Sequence, residues 1–524
     1  MKTTNTDIAQ PEFSKLRTAL FPIHNNELKK FLPMGAMMFF ILFIYTILRD
    51  TKDSLVITSQ GGDSAVLPFL KLGLVLPASI LFVMIYAKMS NAMKRENVFY
   101  AVVSAFVLYF GAFAFFLYPN KDLIHPSFET VSALQEAYPN FQHVFPVWGN
   151  WTYSMFYVLS ELWGSVMISL LFWQFANEIT RTKEAKRFYG LFGLLANLSL
   201  ICSGFTVNYL SRISDSLPEG VDAWGVSLNY MMSAVVVAGF AVMVIYRWMN
   251  TAVLTDPKYY DQAAVSTKSK KDKPKLSIGE SFKYLIQSKY LGYIAILIIG
   301  YGLAINLVEI VWKGMVKQQY PTPNEYNAFM GIFSATTGFV TMTLIMLFKG
   351  VVSRFGWYVG AVITPAVLLV SAVLFFAFVL FGNSMDPFAA MFGTSTLFMA
   401  VVLGAAQNIF SKGTKYSLFD PTKEMAYIPL DQELKVKGKA AVDVIGGRLG
   451  KAGGGLVSGM ILTITAASSA VSIAPYLGLI VIAVIALWIF AAGQLNKLYT
   501  VQLATFEKAE ATAANESAKS KQAA

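Results

Sequence analysis

Ser266-Thr-Lys-Ser-Lys-Lys-Asp-Lys-Pro-Lys275 lies inside a polar connection that runs from about Asn250 to Gln287 and divides an otherwise apolar chain into two comparable parts. Five lysines within ten residues do not enter hydrocarbon, so the stretch reads as a solvated, flexible linker. On each side of it the sequence holds six stretches long enough to cross a core of about 30 Å as helices, which takes about 20 residues each. They run from 32–50 to 225–246 before the linker and from 291–312 to 473–495 after it. Composition agrees: 55% of the 524 residues are hydrophobic and 14% are charged, too few charges to coat a soluble surface.

The bilayer offers no water to unpaired backbone groups, so the spans must be helices. The expected fold is an all-α integral membrane protein with twelve transmembrane helices in two pseudo-symmetric six-helix bundles, major-facilitator-like in architecture. Its parts are an N-terminal segment 1–31, a first bundle 32–249, the linker 250–287, a second bundle 288–497 with a loop 412–440, and a tail 498–524. That tail is rich in Ala, Lys, Glu and Ser and is expected to be disordered. The N-terminus, alternate loops and the C-terminus together hold 33 of the 42 lysines and arginines. This asymmetry predicts cytoplasmic termini and explains the net charge of +11 as topology, with no nucleic-acid partner implied. The first apolar stretch is too long for a signal peptide and lacks a small-residue cleavage site, so it is expected to stay as the first span.

Single charges stranded inside the apolar stretches carry the functional reading. A charge at the centre of a membrane helix costs about 2.5 to 3.5 kcal/mol, so Lys52, Glu161, Glu309 and Lys451 must each serve a cavity or a partner. Lysines in such a cavity suggest an anionic substrate, and glutamates suggest groups that hold the lysines when it is absent. In Tyr45-Thr-Ile-Leu-Arg-Asp-Thr-Lys-Asp53, Arg49 and Lys52 share a helical face and suit neighbouring phosphate oxygens. The competing reading is a loop start with snorkelling side chains, with Asp50 and Asp53 neutralising their neighbours. In Leu159-Ser-Glu-Leu-Trp-Gly-Ser165, Glu161 is too deep to reach headgroups, and Trp163 is either a stacking surface for a base or helix packing.

In Asn306-Leu-Val-Glu-Ile-Val-Trp-Lys313, the counterpart of the first motif, Glu309 and Lys313 are four apart and can satisfy one another, or Glu309 can gate. Asn306, one turn earlier, can offer an amide to a base or ribose. In Asp443-Val-Ile-Gly-Gly-Arg-Leu-Gly-Lys-Ala-Gly-Gly-Gly455, Arg448 and Lys451 repeat the three-residue spacing of Arg49 and Lys52. This is not a phosphate loop, because Ile445 stands at the first glycine position, Ala452 replaces the Ser/Thr and no strand precedes it. The glycines themselves read as close helix packing. One cysteine and three scattered histidines exclude an intramolecular disulfide and leave no metal site or cofactor in view. Nothing resembles a nucleophile with its base, so no enzyme is expected.

Thr46-Ile-Leu-Arg-Asp-Thr-Lys-Asp53, Ser160-Glu-Leu-Trp-Gly-Ser165 and Lys415-Tyr-Ser-Leu-Phe-Asp-Pro-Thr-Lys-Glu-Met-Ala-Tyr-Ile-Pro-Leu-Asp431 resemble the nucleotide transporter family of obligate intracellular bacteria and plastids, the ATP:ADP translocases. The resemblance spans about Lys15 to Lys497. It implies an antiporter that imports ATP and exports ADP through the lipid bilayer. By motif, the family's two essential lysines and two glutamates fall on Lys52, Glu161, Glu309 and Lys451. The implied roles are phosphate binding by Lys52 and Lys451 with Arg49 and Arg448, and gating by Glu161 and Glu309. Within the 415–431 signature, Asp420 is expected to cap a helix beginning at Pro421 that Pro429 stops. A missing transit peptide points to the bacterial inner membrane, and the architecture to a working monomer. A proton-coupled nucleotide symporter or another organic-phosphate carrier shares these motifs and stays open at this stage.

Overall fold

The computed structural model describes residues 21–256, 259, 288–431 and 438–523, so most of the linker lies outside the described residues. Long helices dominate, with no strand among the described residues. In chain order they are α1 (Leu28–Ile57), α2 (Ser64–Ala92), α3 (Arg95–Leu117), α4 (Trp151–Ile179), α5 (Thr182–Ser211) and α6 (Ala223–Val253). After the linker come α7 (Lys289–Gln319), α8 (Pro323–Leu347), α9 (Trp357–Phe381), α10 (Thr396–Thr414), α11 (Lys439–Thr465) and α12 (Ala474–Ala523). Ten of the twelve have membrane-crossing length and apolarity, and α10 and α11 pack among them.

Short polar side chains set several helix starts. Asp222, Ser288 and Ser395 accept backbone N–H groups at the starts of α6, α7 and α10, and Thr322 with Glu325 closes a capping box around Pro323 at α8.

Packing repeats between the halves, as two pseudo-symmetric bundles require. In the first, α1 packs on α4, α5 and α6, and α3 on α6; in the second, α7 packs on α10, α11 and α12, and α9 on α12. The halves meet along two equivalent seams, α5 with α8 and α2 with α11. Glycine makes close approach possible. A Cβ on Gly302 would come within 2.7 Å of the Gly450 backbone, so α7 and α11 touch at main-chain level where larger residues would hold them apart.

The two faces of the bundle differ. We call the side of the 257–287 connection the linker face. Every hydrogen bond and ion pair resolved between described residues of the two halves lies at mid-depth or toward the opposite face. There a cap formed by residues 121–149 docks on the end of α11: Asn140 Nδ2 donates to Thr463 O (2.8 Å), Gln142 Nε2 to Ala466 O (3.1 Å), and His143 Nε2 to Ala467 O (2.8 Å). Asp63 accepts Ala470 N–H at 3.2 Å, and Lys317 donates to Gly62 O. The protein is closed on the opposite face.

Two cap histidines make this closure sensitive to acid. Burial pushes the His143 ring below the usual imidazole range, against the opposing pull of the Ala467 carbonyl and Asp63. Burial lowers His125 too, with Asp122 opposing and Lys121 assisting, while its Nε2 lies 2.6 Å from Thr152 Oγ1. A depressed histidine resists protonation in the docked cap, so its stabilisation is complete above the unfolded value of about 6.5 and is lost as pH falls. Amide protection factors in 121–149 are therefore expected to fall as pH drops below about 6.5 while α8 stays protected. Equal protection above and below that value would contradict the assignment.

Three expectations need correction. The tail expected to be disordered continues α12 to Ala523, since Ala, Lys and Glu are strong helix formers and extend a helix already nucleated in the bundle. The loop expected over 412–440 is helical through Ala426: a wide π-turn, Lys415–Phe419, joins α10 to Asp420–Ala426. Asp420 consequently caps nothing, because the helix arrives before it; its carboxylate takes Lys415 at 2.7 Å instead. The segment is also pinned by Trp357 Nε1 to Thr422 O (2.8 Å) and Tyr290 Oη to Ala426 O (2.6 Å).

Candidate functional site: a charged chamber between the halves

Lys52, on the last third of α1, lies 2.7 Å from its neighbour Asp53 and 3.0 Å from Glu161 of α4. The other oxygen of Asp53 takes Lys313 of α7 at 2.8 Å, and Lys313 holds Glu309 at 2.8 Å one turn away. Glu161, Lys52, Asp53, Lys313 and Glu309 thus form one alternating chain of charge that crosses the junction of the halves. Its centre is buried: Lys52 and Lys313 side chains are 3% exposed and Asp53 is 2% exposed. The ends are open, with Glu161 at 31% and Glu309 at 28%, so the carboxylates that can let go are the ones facing the space between the bundles. Lys52 also sits 3.8 Å above the Tyr157 ring, whose quadrupole favours a cation there.

Beside the chain, Arg49 Nε meets Asp50 at 3.1 Å and Arg49 donates to Ser334 Oγ at 2.7 Å. Ser334 in turn donates to Asp50 at 2.7 Å, closing a ring between α1 and α8. Two turns earlier on α8, Asn327 bridges Ser54 and Ser211, each at 2.9 Å. Arg49 is therefore occupied in joining the halves.

A small cavity next to Glu309 and Lys313 is lined by Lys71, Asn306, Gly454 and Ser458. Lys71, at the start of a π-turn in α2, points its ammonium toward Asn306 Oδ1 at 3.4 Å, and no carboxylate of the described residues lies within 4 Å of it. Asn306 accordingly belongs to the chamber wall. The Arg448 and Lys451 side chains lie outside the described residues.

Geometry sorts the sequence expectations. Lys52, Glu161 and Glu309 are brought together, and the expected mutual satisfaction of Glu309 and Lys313 is present. Trp163 is a correction: it is fully buried, donates Nε1–H to Ile41 O at 3.1 Å and meets Phe106 edge-on at 5.5 Å, so it packs α4 and offers no face to a base. Asp53 does more than neutralise a neighbour, since it ties two lysines from different halves. Sequence reading did not single out Lys71 or Lys412, and took Lys313 only as a partner for Glu309. Lys71 had a signal, a lysine inside the second apolar stretch, that the sequence reading did not take up.

Residues 6–499 match the family model described as TLC ATP/ADP transporter. The chain belongs to this family. It is 50% identical over 516 residues to ADP,ATP carrier protein 1 of Chlamydia muridarum, covering 98% of this chain and 96% of that one. ADP,ATP carrier protein 1 of Rickettsia bellii is 44% identical over 97% of this chain and 100% of its own length. The chloroplastic ADP,ATP carrier protein 1 of Arabidopsis thaliana is 48% identical over 91% of this chain and 76% of its own. Among solved structures, a bacterial homologue of the iron transporter ferroportin in its inward-facing state superposes with a TM-score of 0.57 at 11% identity, covering 88% of this chain and 98% of that one. The nucleoside transporter NupG gives 0.51 at 12% identity, with 88% and 99% covered. Those two likenesses concern the fold.

Proposed function

We propose that this multi-pass membrane protein exchanges ATP for ADP by alternating access, taking up ATP and releasing ADP. The observation that carries the reading is the chain Glu161–Lys52–Asp53–Lys313–Glu309 at the junction of the halves, with Lys71 beside it, 3.4 Å from Asn306 and with no carboxylate within 4 Å among the described residues. Such an arrangement is neutralised either by its own glutamates or by a polyphosphate. The relatives named ADP,ATP carriers match along nearly the full chain, which favours the exchanger over a proton-coupled symporter or a carrier of another organic phosphate.

A nucleotide entering from the linker face brings its phosphates to Lys71, Lys52 and Lys313, with Lys451 completing the pocket from α11 and Asn306 available to the ribose or base. Phosphate oxygens form strong charge-assisted bonds with ammonium groups. Glu161 and Glu309, the exposed ends of the chain, are displaced, and the halves can then part at Asp53. An empty carrier making the same movement separates Asp53 from Lys313 with nothing to replace it. Asp53 keeps Lys52 and Lys313 keeps Glu309, so the loss is that of one hydrogen bond to a charged group, about 1.5 to 3 kcal/mol, which slows the empty return and favours exchange. The protein acts as a monomer in a bacterial inner membrane with both termini in the cytoplasm, so the linker face is the cytoplasmic one. This follows the asymmetry of lysine and arginine.

Labelled ATP uptake into vesicles preloaded with ADP, with ATP or with nothing is the test. Rapid uptake with either nucleotide inside, little without, and no response to a proton gradient is expected; gradient-driven uptake into empty vesicles would refute exchange. In the same assay Lys52→Gln is expected to abolish uptake while the protein still inserts.

A further inference from the structure

A second hollow lies away from the chamber, where α5 and α8 meet on the opposite face. Its volume is 440 Å³, within the range of about 300 to 1,000 Å³ that small-molecule sites occupy. The first half supplies Asn208, Arg212 and Asp215 to its wall, and the second supplies Asn324, Glu325 and Phe329. Asn208 Nδ2 donates to Ala328 O at 2.9 Å within that wall, so the halves touch there. Arg212 is exposed and has no carboxylate within 4 Å among the described residues. Asn324 Oδ1 is buried and accepts no hydrogen bond among them. An acceptor hidden from water without a donor is costly, so the hollow suits a group that brings N–H. Acceptors for more N–H stand beside it: Asp215 takes Ser214 Oγ at 3.2 Å on one oxygen, and Glu325 caps α8 with Oε2, which leaves the other oxygen of each open among the described residues.

The walls of the hollow continue along both helices toward mid-depth as apolar stripes. On α5 the stripe is Arg212, Tyr209 and Phe205; on α8 it is Glu325, Ile332 and Phe339, spaced by seven. Tyr209 is 71% exposed, Phe205 57%, Ile332 40% and Phe339 65%. Their exposure is not toward the chamber. Glu325 and Ile332 each stand two residues from Asn327 and Ser334, which bond toward α1, and two residues are about 200° around a helix. Phe205 and Tyr209 stand in the same way two residues from the buried Val207 and Ser211. The stripes therefore face hydrocarbon, and the charged hollow sits at their end where a bilayer surface lies.

We propose that this hollow binds the headgroup of a phospholipid carrying a primary ammonium. Arg212 takes its phosphate in a charge-assisted bond, the ammonium donates to Asn324 Oδ1 and to the open oxygens of Asp215 and Glu325, and the acyl chains run along the two stripes. A primary ammonium has three N–H donors for these three acceptors. A trimethylammonium headgroup has none. Two carboxylates beside a single arginine disfavour a polyphosphate, which separates this site from the chamber.

The experiment adds short-chain phospholipids to the detergent-solubilised protein and follows its unfolding temperature. The phosphoethanolamine lipid should raise it. Successive N-methylation should weaken the effect, and the phosphocholine lipid should need about tenfold or more concentration for the same shift, the factor expected for one lost charge-assisted hydrogen bond. Arg212→Gln should lose the response while unfolding in plain detergent as wild type does, because an exposed side chain without an ion pair is replaced at little cost. Equal responses of wild type to the ethanolamine and choline lipids, or an unaltered response of Arg212→Gln, overturn the assignment. A nucleotide occupant would appear as a rise with ATP in Lys52→Gln protein that adding Arg212→Gln removes, and that result overturns it too.

Discussion

Asp53→Asn is expected to unlatch the opposite face. Asp53 is the point at which a cation of the second half, Lys313, is held by the first, and both of its oxygens are occupied. Lys52 retains Glu161 and Lys313 retains Glu309 in the variant, so neither lysine is stranded and the fold should survive. What disappears is the Asp53–Lys313 ion pair between the halves, one of several contacts there, and it disappears only from the closed form. A hydrogen bond to a charged group contributes about 1.5 to 3 kcal/mol, so the closed form should lose about 10- to 150-fold in population.

The chain offers a direct readout because Cys202 is its single cysteine. In a Cys202→Ser background, a Ser64→Cys probe reports opening, since Ser64 is fully buried on the opposite face beside Gly314. An impermeant maleimide should label the probe much faster when Asp53→Asn is added. Unchanged labelling would remove Asp53 from the latch.

Gly204→Leu should be at least as damaging, for a steric reason. A Cβ on Gly204 would stand 2.5 Å from Ala335 N and Gly331 O, and one on Gly331 would stand 2.6 Å from Asn208 N. These are main-chain atoms, so no rotamer change relieves the contact. Overfilling a packed core costs about 1 to 3 kcal/mol when neighbours can adjust, and here α5 and α8 must separate instead. Exchange should fall to background and the Ser64→Cys probe should become reactive. Gly190 on the same helix is exposed with nothing near its Cβ position, so Gly190→Leu should behave as wild type. Equal activity of the two variants would exclude the α5–α8 seam as a contact that transport requires.

Much of the site was legible in the sequence because charge in an apolar stretch is costly enough to announce itself. Lys52, Glu161 and Glu309 were found that way and meet through Asp53 and Lys313. Trp163 kept base stacking open beside the more usual packing role, and its burial with its hydrogen bond to Ile41 O places it in the packing. Lys412 was hidden by the rule that found the others, since a lysine at the predicted end of a span is counted with its loop.

Periodicity and composition by themselves determined that the chain crosses a membrane in two sets of six helices, because hydrocarbon tolerates no unpaired backbone and each crossing needs a fixed length of apolar residues. They also marked which charges were out of place. Tertiary structure alone decided which of those charges meet, that Arg49 and Asp53 fasten the halves, and that Lys71 and Lys412 have no carboxylate beside them among the described residues. The reason is that a stranded charge has a cost readable from one helix, whereas its partner comes from another, and only the packing of α1 against α4, α7 and α8 brings the two within bonding distance.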